Sequence, residues 1–264
     1  DCPILIDQGG GRVARLKPPY YPTFPTFESF GNTYRDNPDR ARAELVASTA
    51  AMAEILNTLG VNVNCSPVAD LRHIGAHDII GDRSFSTDPD IVTDLCDVVC
   101  RTYLEHGITP VLKHAPGHGR AMADSHFELP TVDVPHAELD RTDFAPFAAL
   151  SKKPYAAQTW MMTAHILYPQ IDPTGPATLS SPILRDMIRK EWGYDGVIIG
   201  DDMDMAALAP YGDVVTRSVN TLAAGCDLVL NCRGRLEDMA RLAEALPPIP
   251  GFPFGSKTSI KAAS

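Results

Sequence analysis

The sequence predicts an α/β protein, a TIM-like (β/α) barrel of parallel strands that is incomplete at its N-terminus. Three observations carry this expectation. Apolar strand-like runs alternate with helix-period segments, which implies parallel strands with helices outside. Six such runs stand at residues 3–7, 61–66, 108–113, 159–164, 196–200 and 226–231. No glycine-rich dinucleotide fingerprint accompanies them, which favours a barrel over an open doubly wound sheet. The chain begins at Asp1-Cys2-Pro3, directly on the first run, so a preceding strand and helix are expected upstream. With 264 residues and 44% hydrophobic content there is material for one large core, and residues 1–264 read as a single catalytic barrel.

The elements justify themselves in order. The first run ends in Asp7 and passes into Gly9-Gly10-Gly11, which reads as a turn. The glycines match neither G-x-x-x-x-G-K-[ST] nor G-x-G-x-x-G, so no phosphate cradle is expected. Asn37-Pro38 supplies an N-cap and a proline at the first helical position. Leu45, Met52, Ile55, Leu56 and Leu59 then share one helical face, and Gly60 can adopt the left-handed conformation that ends a helix. Val61–Cys65 follows as a strand. The pattern returns from Asp88-Pro89 to His106 and Gly107, from Ser181-Pro182 to Trp192 and Gly193, and less regularly from Asp213 to Ala224 and Gly225. A Pro- and Gly-rich tail, 247–255, reads as either a packed strap or a frayed end.

Composition narrows the partners. The formal charge of −10 and pI of about 5.2 argue against a nucleic-acid-binding face, which would need a basic surface. No run approaches the roughly 18 consecutive apolar residues of a membrane span. No charged segment followed by an apolar one opens the chain, so no signal peptide is visible. Cysteines stand at 2, 65, 96, 100, 226 and 232 with no C-x-x-C pair, and read as small buried hydrophobes in a reducing compartment rather than a disulfide framework. These readings give a cytoplasmic monomer acting on a small molecule without a cofactor.

The reactive groups fall just past the apolar runs. They are Asp7 with Arg12 and Arg15, then Asp70, then Lys113-His114 with His118, Asp124 and His126, then His165, then Asp201-Asp202-Met203-Asp204, then Asn231. In a parallel barrel these positions converge on one rim. A rim with carboxylates, a lysine, arginines and histidines suits a hydroxyl-rich, uncharged or mildly anionic ligand. Each feature also has a plain structural reading. Asp201-Asp202 could be a helix N-cap with a solvated neighbour, and His165 a satisfied core histidine. Lys113 at the end of a buried run calls for a charged partner or ligand.

The segment Lys113–His126 is the densest of these, with three histidines, an aspartate and a lysine in fourteen residues. Two chemistries fit. His114, His118, Asp124 and His126 could ligate zinc or a similar ion, although their spacing matches no common pattern such as H-E-x-x-H. Alternatively, Asp124-x-His126 could be an acid/base pair, with the carboxylate fixing the imidazole tautomer and raising its basicity.

Several segments together resemble glycoside hydrolase family 3. Asp7-Gln8-Gly-Gly-Gly-Arg12-Val-Ala-Arg15 is similar to the family's D-Q-E-G-G-R-V-x-R, and Gly81-Asp-Arg83-Ser-Phe-Ser-Thr-Asp-Pro89 to its G-D-R-S-F-G-x-D-P. Lys113-His114-Ala-Pro-Gly-His118-Gly followed by Asp124-Ser-His126 resembles K-H-F-P-G-H-G-x(4)-D-S-H, the signature of the NagZ-like β-N-acetylhexosaminidase branch. Thr163-Ala-His165, Pro176–Ser180 and Gly200-Asp201-Asp202-Met203 match in the same order. The resemblance covers roughly residues 3–232. It implies a retaining glycosidase with Asp201 as nucleophile and His126 as acid/base, assisted by Asp124 in place of a second carboxylate. Asp7, Arg15, Arg83, Lys113 and His114 match the positions that hold the N-acetylglucosamine ring. The family's glutamate after Asp-Gln is Gly9 here, its serine before the nucleophile is Gly200, and its phenylalanine after Lys-His is Ala115.

The leading expectation is an exo-acting β-N-acetylglucosaminidase of peptidoglycan recycling, acting without metal on muropeptide-like or chitooligosaccharide substrates. The alternatives are a family 3 β-glucosidase, an N-acetylglucosaminide phosphorylase, a metal-dependent hydrolase built on the histidine cluster, and a sugar-binding protein with a degenerate site.

Overall fold

A computed structural model describes residues 2–248; the tail expectation lies outside them from residue 249 on. Six strands form: β1 (Leu5–Ile6), β2 (Val63–Asn64), β3 (Thr109–Ala115), β4 (Trp160–Thr163), β5 (Val197–Asp202) and β6 (Leu228–Leu230). They pair in parallel in chain order, β1-β2-β3-β4-β5-β6. Every expected run therefore holds a strand, although β1 and β2 keep only two paired residues each. Among the described residues β1 and β6 are the sheet's edges, so the barrel is incomplete, as expected.

Parallel neighbours need crossovers, and helices supply them. These are α1 (Phe27–Asp36), α2 (Pro38–Thr58), α3 (Pro89–Glu105), α4 (His136–Leu139), α5 (Ala145–Ser151), α6 (Val214–Ala224) and α7 (Leu236–Ala245), with a π-helix at Pro182–Glu191. The predicted caps are made. Asn37, Asp88 and Asp213 accept from the backbone N–H of Arg40, Asp90 and Thr216. Ser181 makes no such bond; Ser180 Oγ accepts from Ile183 N instead, and the helix that follows is wound with a wider turn. The buried stripe of α2 is Ala41, Leu45, Thr49, Met52, Ala53 and Leu56. Leu59, expected on that face, is exposed because the helix ends at Thr58.

The sheet has two apolar faces, separated by the alternation of side chains along each strand. Inward, Val63, Cys65, Val111, Trp160, Met162 and Ile199 form one cluster, joined by Leu5, Val197, Leu228 and Leu230. All six strands thus contribute to one barrel interior. Outward, Leu112, Met161 and Ile198 pack with the helices, and Ile6 lies against the same layer. Two residues further along the inward rows come Asp7 on the first strand, Lys113 on the third and Asp201 on the fifth. The same alternation that fills the barrel with apolar side chains delivers the charged ones to its C-terminal mouth.

Candidate active site

At that mouth Lys113 Nζ donates to Asp7 Oδ1 at 2.6 Å. The lysine side chain is 3% exposed and the aspartate 31%, which answers the expectation that Lys113 needs a partner. Arg15 approaches the other Asp7 oxygen at 3.9 Å. Its loop is clamped by buried Gln8, whose Oε1 accepts from Arg15 N and Leu16 N while its Nε2 donates to Leu16 O. The glycine run is a packed turn. Gly10 has φ +85°, and a Cβ there would lie 2.6 Å from the Pro25 carbonyl oxygen. A small pocket opens here, with Asp7, Gly9, Val13, Phe27, Arg83 and Lys113 in its wall.

Burial pushes the Asp7 carboxyl up, but the Lys113 ammonium, with Arg83 and His114 behind it, outweighs this and holds it below its ordinary value. A depressed carboxyl contributes stability that is present above the unfolded value of 3.8 and lost as pH falls through the lower folded one. Lys113→Met should therefore lower the unfolding free energy at neutral pH by about 3 kcal/mol, the low end for breaking a buried pair, since Asp7 keeps some solvent. Denaturant titrations should show this gap closing in acid, below the ordinary carboxyl range; a gap that is independent of pH would assign the loss to packing.

The β3 loop is fixed at its root. Asp143 accepts from Arg120 Nε at 2.6 Å and pairs with His73 Nε2 at 2.8 Å. Tyr168 donates its hydroxyl to the Gly117 carbonyl. Gly119 lies so close to Leu71 that a Cβ would sit 2.0 Å from that residue's carbonyl oxygen. Further along, His118 Nε2 meets Ser125 Oγ at 3.2 Å, and Ala207 N donates to Ser125 O at 3.3 Å. This last bond ties the loop to the segment following β5. Flanking Ser125 are Asp124 and His126, with Nδ1 of His126 2.7 Å from Asp124 Oδ1, which also accepts from His126 N. Burial raises the Asp124 carboxyl, but the bonds from His126 prevail and hold it below its ordinary value. The His126 side chain is 58% exposed.

Asp201 is the penultimate residue of β5, half-buried, with its Oδ1 accepting from Asp202 N at 2.8 Å. Between β5 and the loop lies buried His165, whose Nδ1 meets Thr178 Oγ1 and whose Nε2 donates to Asp202 O. Burial lowers the His165 pKa; the Asp201 charge opposes that and His126 adds to it. One ring thus senses both proposed catalytic groups.

Two sequence expectations need correction. Asp70 does not line the rim: it is fully buried behind His114 and His118. Cys232 is exposed and so is Cys2, while the other four thiols are buried as expected and all six are free. Among the described residues no three His, Cys, Asp or Glu side chains converge to hold a metal ion, so His114, His118, Asp124 and His126 do not form the zinc cluster their sequence proximity allows. Nor, among the described residues, is any helix long and apolar enough to cross a membrane.

The profile of the glycosyl hydrolase family 3 N-terminal domain matches residues 2–248. The chain belongs to glycosyl hydrolase family 3. Similar proteins include a Beta-hexosaminidase A from Pseudoalteromonas piscicida, 36% identical over 263 residues, covering 92% of this chain and 43% of that protein. A Beta-hexosaminidase from Thiobacillus denitrificans is 37% identical over 234 residues, covering 88% and 63%. Among solved structures, NagZ from Neisseria gonorrhoeae in complex with N-trifluoroacetyl-D-glucosamine superposes with TM-score 0.84 at 32% identity, covering 94% of this chain and 70% of that one. This chain thus spans about 43% and 63% of the length of those two curated relatives. Where the family's motif has glutamate, Gly9 takes no strained conformation, and a Cβ there would meet only the Val13 carbonyl oxygen, at 3.8 Å. Lack of room is not what keeps a side chain out of position 9.

Proposed function

We propose that this family 3 barrel is a retaining exo-β-N-acetylglucosaminidase that releases terminal N-acetylglucosamine from muropeptide-like or chitooligosaccharide substrates, a role that suits cytoplasmic peptidoglycan recycling. The observation that carries the reading is the Asp124–His126 pair on a loop hydrogen-bonded to the segment that follows Asp201. Because Nδ1–H of His126 donates to the Asp124 carboxylate, Nε2 is the nitrogen free to exchange a proton with substrate. In the first step an Asp201 oxygen attacks the anomeric carbon. The bond to the leaving oxygen breaks, and that oxygen takes the Nε2 proton. In the second step water attacks the glycosyl ester and gives its proton to Nε2, restoring carboxylate and imidazolium. On this reading Asp7, Lys113, Arg83, Arg15 and His114 hold hydroxyls of the N-acetylglucosamine ring that becomes bonded to Asp201. The named relatives and the analogue-bound neighbour support the same sugar.

The test is release of aryl alcohol from an aryl N-acetyl-β-glucosaminide against the matching β-glucoside, each with and without phosphate and chelator. Preference for the N-acetyl substrate, unaffected by both additions, is expected. Preference for the glucoside replaces the reading with a β-glucosidase, phosphate dependence replaces it with a phosphorylase, and chelator sensitivity revives the metal-dependent hydrolase.

A further inference from the structure

Asp70 has no solvent exposure and no cation in contact, a costly setting for a carboxyl. What surrounds it is a set of N–H donors. His114 N points between the two oxygens at 3.1 Å from each, His114 Nδ1 lies 2.7 Å from Oδ2, and His118 N lies 2.6 Å from Oδ1. Both oxygens are occupied as acceptors; burial raises the Asp70 carboxyl above its ordinary value, and these N–H donors oppose that rise by stabilising the carboxylate. The His114 ring is buried but not sealed, with 9% of its side chain exposed, and burial, with Arg83 and Lys113 nearby, pushes its pKa well below the ordinary imidazole value. A neutral imidazole carries one proton. Its other nitrogen, Nε2, has no protein partner among the described residues, and the charges acting on the ring are those of the mouth: Arg83, Lys113, Asp201 and Asp7.

We propose that Asp70 is a positioning residue that fixes His114 in the Nδ1–H tautomer, so that Nε2 faces the sugar as a hydrogen-bond acceptor for one substrate hydroxyl. This rests on the glycosidase reading for the identity of the ligand. Its chemical sense lies in the company His114 keeps. Lys113, Arg83 and Arg15 can only donate, and Asp7 accepts as an anion whose Oδ1 is already bonded to Lys113. A neutral nitrogen acceptor gives the site a group that reads a free hydroxyl, because an ether or a deoxy carbon at that position cannot donate to it. The carboxylate also holds the His118 backbone, and so the root of the loop that carries Asp124 and His126.

The tautomer is read directly by nitrogen NMR of the 15N-histidine-labelled chain. A protonated Nδ1 and a bare Nε2 on His114 are expected at neutral pH; a protonated Nε2 overturns the proposal. The second arm is Asp70→Asn. The amide must turn its NH2 toward one of the N–H donors, so that His114 reverses its tautomer or the His118 N–H is displaced. Its kcat/KM on an aryl N-acetyl-β-glucosaminide should fall roughly 10- to 100-fold, the span of a lost charge-assisted hydrogen bond. Among 3-, 4- and 6-deoxy versions of that substrate, the one that costs the wild type most should cost the variant almost nothing further. A variant with wild-type tautomer and wild-type rates overturns the assignment, and so does one that penalises the deoxy substrates as the wild type does. If Asp70→Asn does not fold, the wild-type spectrum decides alone. The spectrum needs no turnover, so a chain lacking glycosidase activity would overturn the function without touching the tautomer.

Discussion

Asp201→Asn should lower turnover of an aryl N-acetyl-β-glucosaminide by on the order of 10⁴-fold or more, the scale seen when a covalent nucleophile is removed. The fold should survive. Asn keeps the oxygen that accepts from Asp202 N, and among the described residues Asp201 makes no other side-chain hydrogen bond or ion pair that the amide would break. The substitution deletes only the negative charge at the end of β5. That charge acts on the buried rings of His114, His118 and His165, raising the pKa of each against the pull of burial. In the variant all three should titrate lower still, a shift that NMR can follow whether or not the protein turns over. Unchanged thermal unfolding with near-complete loss of turnover is the expected pair of results. Full residual activity would remove Asp201 from the mechanism.

His126→Ala should show its effect through the leaving group. A substrate that departs as a sugar alkoxide needs its oxygen protonated, and loss of a positioned acid costs about 10²- to 10⁴-fold. An aryl substrate with a very acidic phenol needs little help, so glycosylation of the enzyme should stay near the wild-type rate. Steady-state rates across a series of aryl leaving groups check this: a steep dependence in the variant and a shallow one in the wild type are expected. Equal losses across the series would make His126 a group that positions without protonating. Asp124 is separable in the same assay. Its carboxylate holds Nδ1, and Asp124→Asn should give an intermediate slope, because an amide still orients the ring without stabilising the imidazolium.

Much of this fold is written locally. The strands are short apolar runs, and helices α2, α3 and α6 begin at Asn37, Asp88 and Asp213, whose side chains cap them as their residue types suggest. Helix α1 lacks those signals: Thr26 makes no side-chain cap, and Gly31 sits mid-helix where it reads as a breaker. The structure supplies the reason for that glycine, since a Cβ there would lie 1.7 Å from the Phe85 carbonyl oxygen. The Asp124–His126 bond is also local, two residues apart, and so is visible from spacing. What stayed hidden are partnerships across the chain. Asp70 with His114 spans 44 residues, His73 with Asp143 spans 70, and Lys113 with Asp7 spans 106. Nothing in a linear pattern tells a rim carboxylate from one placed behind a histidine, because both follow a strand. The charge on Lys113 was the single cue that announced a missing partner without naming it.

The two-residue alternation along β5 has a consequence for how this chain can change. Val197 and Ile199 face the barrel interior, Ile198 faces the helices, and Asp201 continues the interior row. Adding or deleting one amino acid within the strand upstream of Asp201 would exchange the two rows, turning its carboxylate toward the helix layer and bringing Gly200 or Asp202 to the mouth in its place. Length changes should be tolerated between strands and lethal to activity within them, so insertion scanning across 194–206 would trace the strand's frame as a sharp trough in retained turnover.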